Sequence, residues 1–224
     1  MITRMDRDIG RLMDVVRELG LDEQTVFVFS SDNGPLNGTL QGLGGTDAMF
    51  FNSAGGFRDG KGSLWEGGFR VPTIVRWKGH VRLGTQSERV SGFEDWIPTF
   101  MELAGNAGAH REGTSAFDGI SMAPTLLGQS QPERPFLYRE FSGYLGYQVV
   151  RVGDWKGVRL NLSKKKGVSS ADQSLELYNL HDDPAEARNV AHEHGDIVNA
   201  MRQIMREQHV PSKEFPFPAL DAGL

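Results

Sequence analysis

The sequence predicts an α/β chain: an incomplete α/β sandwich followed by a small antiparallel sheet with a C-terminal helix. Three observations carry that expectation. The stretch up to residue 133 alternates amphipathic helical runs with just two apolar strand-like runs, at 25–29 and 73–77. From Phe136 the texture changes to short β-like runs at 136–141, 148–152, 156–160 and 175–180, separated by glycine or polar turns, the pattern of an antiparallel meander. Ile197, Met201, Ile204 and Met205 then mark a last amphipathic helix. The expected division is therefore 1–133 for the α/β part and 134–224 for a small α+β subdomain.

Taken in order, Ile2, Met5, Ile9, Leu12, Met13, Val16 and Leu19 recur at helical spacing, with Asp6, Arg7, Asp8, Arg11, Asp14 and Arg17 mostly on the other face and Gly20 as a stop. No capping residue precedes this helix, so the chain is expected to be cut from something longer. Thr25–Phe29 is a β-branched and aromatic run that predicts a buried strand, ended by Ser30-Ser31-Asp32-Asn33-Gly34-Pro35. Residues 34–62 hold a cluster of glycines with Phe50, Phe51 and Phe57, a loop long enough to be suspected of function. Thr73–Trp77 predicts a second buried strand. Phe93, Trp96, Ile97, Phe100, Met101 and Leu103 predict a helix starting near Asp95, with Pro98 tolerated in its first turn. Two strands are too few for a doubly covered parallel sheet, so that layer is read as incomplete. Lys164-Lys165-Lys166 reads as a solvated hairpin tip, and the tail Phe215-Pro216-Phe217-Pro218 as an extended segment that packs back on the body.

Composition narrows the function classes. A hydrophobic share of 38% and a charged share of 24% fit a globular protein, and 224 residues suffice to bury a core. A net charge of -5 gives no electrostatic case for nucleic acid or an anionic membrane, and no apolar run is long enough to span a bilayer. With no cysteine, disulfides, thiolate zinc sites and cysteine nucleophiles are excluded within the chain.

The candidate chemistry sits at Asp32-Asn33. A carboxylate beside a carboxamide at the end of a strand can present two oxygens to a hard cation such as calcium or magnesium. The tetrapeptide Asp-Asn-Gly-Pro is equally good turn chemistry taken alone.

The ordered series Asp-Arg-Asp-Ile-Gly-Arg-Leu (6–12), Phe-Ser-Ser-Asp-Asn-Gly-Pro (29–35), Gly-Lys-Gly-Ser-Leu-Trp-Glu-Gly-Gly-Phe-Arg-Val-Pro (60–72) and Val-Arg-Trp-Lys-Gly (75–79) resembles the type I, formylglycine-dependent sulfatases, the arylsulfatase branch of the alkaline-phosphatase-like superfamily. The resemblance continues through Asp118-Gly119-Ile120-Ser121, Gly153-Asp154-Trp155-Lys156, Glu176-Leu177-Tyr178-Asn179-Leu180 and Asp183-Pro184-Ala185-Glu186. It implies a sulfuric ester hydrolase with a divalent cation, usually calcium, and a formylglycine nucleophile. By position, Asp32 and Asn33 match the family's second pair of metal ligands, and Lys61 matches the lysine that contacts the ester oxygens. A lysine there can neutralise the anion and steady the leaving oxygen. Trp65 and Glu66 are read as bracing the loop. The implied partner is a sulfate ester, such as a sulfated glycan, and the implied location is periplasmic or secreted.

The resemblance also implies what the chain lacks. The family's nucleophile lies upstream in a Cys/Ser-x-Pro-x-Arg motif together with the first aspartate ligands, and nothing before Asp32 supplies them. Ser130-Gln131-Pro132-Glu133-Arg134 fits that pattern on paper, but it falls far downstream and is followed by Phe136-Leu137-Tyr138, so it reads as a linker. The histidines, among them His192 and His194, read as surface residues. The chain is accordingly expected to be inactive alone. Two other readings stay open: a phosphoesterase or phosphonate hydrolase of the same superfamily, and a non-catalytic degenerate protein.

Overall fold

The computed structural model describes residues 2–36, 50–106, 117–144, 146–163 and 174–221. The lysine run 164–166 and His110 lie outside them. Two compact units emerge, Met1–Ser30 with Pro72–Glu133, and Ser31–Val71 with Arg134–Leu224.

In the first unit, helix α1 spans Ile2–Glu18 and strand β1 spans Phe27–Ser30. Strand β2, Thr73–Arg76, pairs with β1 antiparallel, Phe27 opposite Arg76 and Ser30 opposite Thr73. The expectation of two buried strands is corrected here. Both are half-exposed, with Val28 36% and Ile74 62% accessible, because the described residues of this unit leave the apolar side chains of the ribbon without a full covering layer. Helix α1 likewise buries none of its residues, and Leu12 and Leu19 stand open to solvent. What fixes the ribbon is polar. Arg76 makes a forked pair with Asp22, at 2.7 and 2.9 Å, and that guanidinium holds the Asp22 carboxyl below its ordinary range.

A 3₁₀ turn, Phe93–Asp95, leads into α3, Trp96–Leu103, with Pro98 in its first turn. The buried residues are the polar ones, Asp95 and Thr99, while Phe93 and Ile97 lie exposed. Asp95 accepts the backbone N–H of Gly92 at 2.9 Å and of Ile120 at 2.7 Å, and Thr99 Oγ1 accepts that of Met122 at 2.8 Å. The helix is thus tied to the 120–122 segment by satisfied polar groups, which is why burial does not follow the apolar stripe. Met122 precedes the short helix α4, Ala123–Leu126.

The second unit carries the short helix α2, Glu66–Phe69, and the four-stranded sheet. Strands β3 (Leu137–Phe141), β4 (Tyr147–Val152), β5 (Trp155–Arg159) and β6 (Glu176–Asn179) pair antiparallel in chain order, as the meander pattern predicts. Val152 pairs with Trp155, so β4 and β5 are joined by the two-residue turn Gly153-Asp154. Helix α5, Gly195–Gln208, covers one face with Val198, Met201 and Met205 against Val150, Leu175 and Leu177. Three such buried side chains contribute about 1.5–3 kcal/mol each. The other face carries Tyr147, Val149, Val158 and Tyr178 and packs on Trp65. A sheet covered on both sides explains why Tyr147, Gln148, Val149 and Val150 are consecutively buried rather than alternating. In the tail, Phe217 is buried and Phe215 exposed. Among the described residues no helix is long and apolar enough to cross a membrane.

Candidate active site

Asp32, Asn33 and Lys61 all belong to the second unit, on two segments joined by backbone. The Lys61 N–H donates to Pro35 O at 2.7 Å, and the Gly34 N–H donates to Gly68 O at 2.8 Å. These two bonds clip the turn after β1 onto the 60–68 loop, so the acid–amide pair and the lysine occupy one neighbourhood.

The local chemistry explains the glycines. Ser63 N–H donates to Gly60 O, and Ser63 Oγ adds a second bond to the same oxygen at 2.9 Å, closing a turn with Lys61 at its exposed tip. Gly62 takes φ +90° in that turn, the region that favours glycine. Gly34 answers a different demand: a Cβ there would lie 1.8 Å from Gly67 O. Gly67 likewise packs on backbone, where a Cβ would lie 2.3 Å from Asp59 O. Asn33 Nδ2 donates to Gly34 O at 2.9 Å, and Ser31 Oγ donates to Asn33 O at 2.9 Å, which sets the turn. Asp32 is exposed and Asn33 half-buried.

The loop is mounted on the sheet by ions and rings. The Glu66 backbone N–H donates to Glu186 Oε2 at 2.7 Å, while Lys156 Nζ on β5 donates to Glu66 Oε1 at 3.0 Å. Lys156 Nζ also lies 2.7 Å from Glu186 Oε1, and all three side chains are sealed from solvent. Burial pushes the Glu186 carboxyl up, and the Lys156 ammonium opposes that shift without cancelling it. Arg58 stacks on Trp65, 3.6 Å from the ring centroid, and donates to Glu186 O at 2.9 Å and Tyr178 Oη at 3.2 Å. Trp65 and Glu66 brace the loop, as the sequence suggests. Arg58, Lys156 and Glu186 are the residues that sequence reasoning missed as bracing groups; their one signal was charge placed inside otherwise apolar or motif-bearing runs.

The donor set fits a cation in kind but not in number. Asp32 and Asn33 offer adjacent oxygens, whereas calcium takes six to eight. Among the described residues no group of three or more His, Cys, Asp or Glu side chains could hold a metal.

Ser130 is exposed in the first unit, where its neighbour Gln131 bonds Ser121 O and Thr125 Oγ1 and the Pro132 carbonyl accepts from Arg89 Nη1. These bonds give the segment a structural task. His192 is exposed. His194 is not a free surface residue, since its ring lies 4.7 Å from that of Trp155. His209, half-buried, bridges Glu140 and Asp221 at 2.7 and 2.8 Å.

Residues 1–106 match the sulfatase family model, and residues 56–210 match the model of the N-sulphoglucosamine sulphohydrolase C-terminal region. Human arylsulfatase A is 30% identical over 222 residues, covering 91% of this chain and 41% of that protein. The N-acetylgalactosamine-6-O-sulfatase of Bacteroides thetaiotaomicron is 28% identical, covering 91% of this chain and 40% of the relative. The solved structure of Ps i-CgsB in complex with k-i-k-neocarrahexaose aligns with a TM-score of 0.71 at 27% identity, over 92% of this chain and 41% of that one. The chain thus spans about two fifths of the length of the relatives it matches, and its neighbours share the alkaline-phosphatase-like fold. The motif order from Asp32-Asn33 through the Lys61 loop to the braced sheet, and the models that cover it, place the chain in the sulfatase family.

Proposed function

We propose that this chain forms the C-terminal part of a sulfuric ester hydrolase, in which Asp32 and Asn33 are two of the oxygen ligands of a divalent cation, calcium or magnesium, and Lys61 binds the ester sulfate. The observation that supports it best is the pair of backbone bonds, Lys61 N–H to Pro35 O and Gly34 N–H to Gly68 O, which brings these three residues into one clipped loop. When bound, such a cation withdraws charge from the sulfuryl group. Lys61, an exposed ammonium at a turn tip, meets the anion and steadies the leaving oxygen. A neutral Asn33 beside Asp32 limits the negative charge facing an anionic substrate.

A formylglycine nucleophile and the remaining ligands have no counterpart among these residues, so the isolated chain is expected not to turn over aryl sulfates. Sulfated glycans are the substrate class suggested by relatives such as the N-acetylgalactosamine-6-O-sulfatase, and an extracytoplasmic location goes with such substrates.

Binding of methyl sulfate to the purified chain in calcium buffer, followed by NMR, tests the assignment. Lys61→Ala should weaken it roughly tenfold, the loss of one charge-assisted contact. Unchanged binding would remove Lys61 from the site. Hydrolysis of aryl sulfate by the chain alone, abolished by Lys61→Ala, would refute the expected inactivity. Preference for methyl phosphate over methyl sulfate would favour the phosphoesterase reading instead.

A further inference from the structure

Tyr144 stands beside the Lys61 turn. It lies in the segment between β3 and β4, 67% accessible, with its backbone in the left-handed region at φ +52°. A bulky side chain seldom adopts that conformation, and it persists where the surroundings hold it. Among the described residues, Gly62 and Phe141 lie against its ring. A Cβ at Gly62 would lie 2.7 Å from Tyr144 Cε2 and 3.2 Å from its hydroxyl, so the ring rests against the bare backbone of the residue next to Lys61. Phe141 contacts it from behind, with centroids 6.0 Å apart and planes tilted by 51°. A Cβ at Gly143 would lie 2.7 Å from Phe141 Cζ, so that glycine in turn makes room for the supporting ring.

The ring is held at one edge and exposed over most of its surface. It offers a rigid apolar face with a polar tip, at low cost in lost freedom when something lands on it. We propose that Tyr144 is a substrate-specificity residue, a platform on which the sugar ring carrying the ester sulfate lies while its sulfate meets Lys61. This rests on the proposed sulfate-binding role of Lys61. A pyranose presents an axial C–H face suited to such a ring and hydroxyls suited to the phenol. Because Tyr144 contacts the sugar and not the sulfate, it should sort substrates by their alcohol and leave binding of the anion alone.

The purified chain is titrated by NMR with three probes in calcium buffer: N-acetylgalactosamine 6-sulfate, methyl sulfate and p-nitrophenyl sulfate. The sulfated sugar should bind about tenfold more tightly than methyl sulfate, the gain of a modest apolar contact. Tyr144→Ala should erase that difference and leave methyl sulfate unchanged, while Tyr144→Phe should keep most of it. Thermal unfolding of both variants near that of the parent shows that the fold survives. Lys61→Ala should weaken both esters equally; if it weakens neither, the sulfate assignment fails, and the Tyr144 comparison is still read from the ratio of the two esters. Equal binding of sugar sulfate and methyl sulfate by the parent chain, or an unchanged ratio in Tyr144→Ala, overturns the platform. A Tyr144-dependent gain for p-nitrophenyl sulfate alone overturns its assignment to a sugar.

Discussion

Lys156, the second residue of β5, reaches Glu66 at 3.0 Å, and both side chains are buried. Lys156 also neutralises Glu186, so one cation answers two buried carboxylates. Replacing Lys156 with Met leaves both acids without that partner, with Arg151 and Arg70 reaching only Glu66, at 3.8 and 3.4 Å. The loss should be about 3–5 kcal/mol, seen as a fall in the urea midpoint. Adding Glu186→Gln to Lys156→Met should recover part of it; a strictly additive double variant would contradict the shared network.

Gly34→Ala should be costly, because its Cβ would meet a backbone carbonyl at 1.8 Å and backbone cannot rotate away. Overpacking of this kind costs about 1–3 kcal/mol or more. Gly10, inside α1 with nothing within 4 Å of its Cβ position, makes the control. Gly10→Ala should stabilise by roughly 0.5–1 kcal/mol through helix propensity. Opposite signs in parallel denaturation curves check both.

His209 predicts a pH dependence. Burial pushes its ring down, but the Asp221 and Glu140 carboxylates outweigh that and raise it above the ordinary 6.5. Tyr138, Gln148 and Arg159 stand behind Glu140, and Asp221 is held below 3.8 by His209. With the folded value raised, the stabilising contribution is complete below the unfolded value and is lost as pH rises through the folded one. Stability should therefore fall as pH rises above the ordinary 6.5, by more in the parent than in His209→Gln, measured by urea unfolding as a function of pH. An imidazole titrating below 6.5 by NMR would contradict it.

Asp95→Ala should free the N–H groups of Gly92 and Ile120 together. Each of these half-buried bonds contributes about 0.5–1.5 kcal/mol or more, since its acceptor is ionised, so a drop in melting temperature is expected, partly rescued by Asp95→Asn.

The C-terminal meander was legible because each run alternates with turn residues and local pairing settles the topology. Gly153-Asp154 between Val152 and Trp155 is enough to set a hairpin. The motif around Lys61 was legible as a loop, and its glycines as a demand for space, though not that Gly34 packs on Gly67. Lys156 was not legible as a core residue, since a lysine in a strand reads as a solvent-facing position until Glu66 and Glu186, far apart in sequence, converge on it. Thr25–Phe29 misled for the converse reason: apolar periodicity reports what a strand can bury, and β1 here pairs with β2 and leaves Val28 and Phe29 partly open. His209 gave no local signal at all, because both of its carboxylates come from other elements.

The ribbon of β1 and β2 has a further consequence for handling the protein. Val28, Phe29 and Ile74 are accessible on a two-stranded sheet whose described residues supply no third strand. Strand rims that carry unspent amide and carbonyl groups beside apolar side chains recruit more strands. Solutions of this chain should therefore scatter light increasingly with concentration, and refolding from urea should lose yield as the protein is made more concentrated. Ile74→Lys, which places a charge on that ribbon, should suppress both.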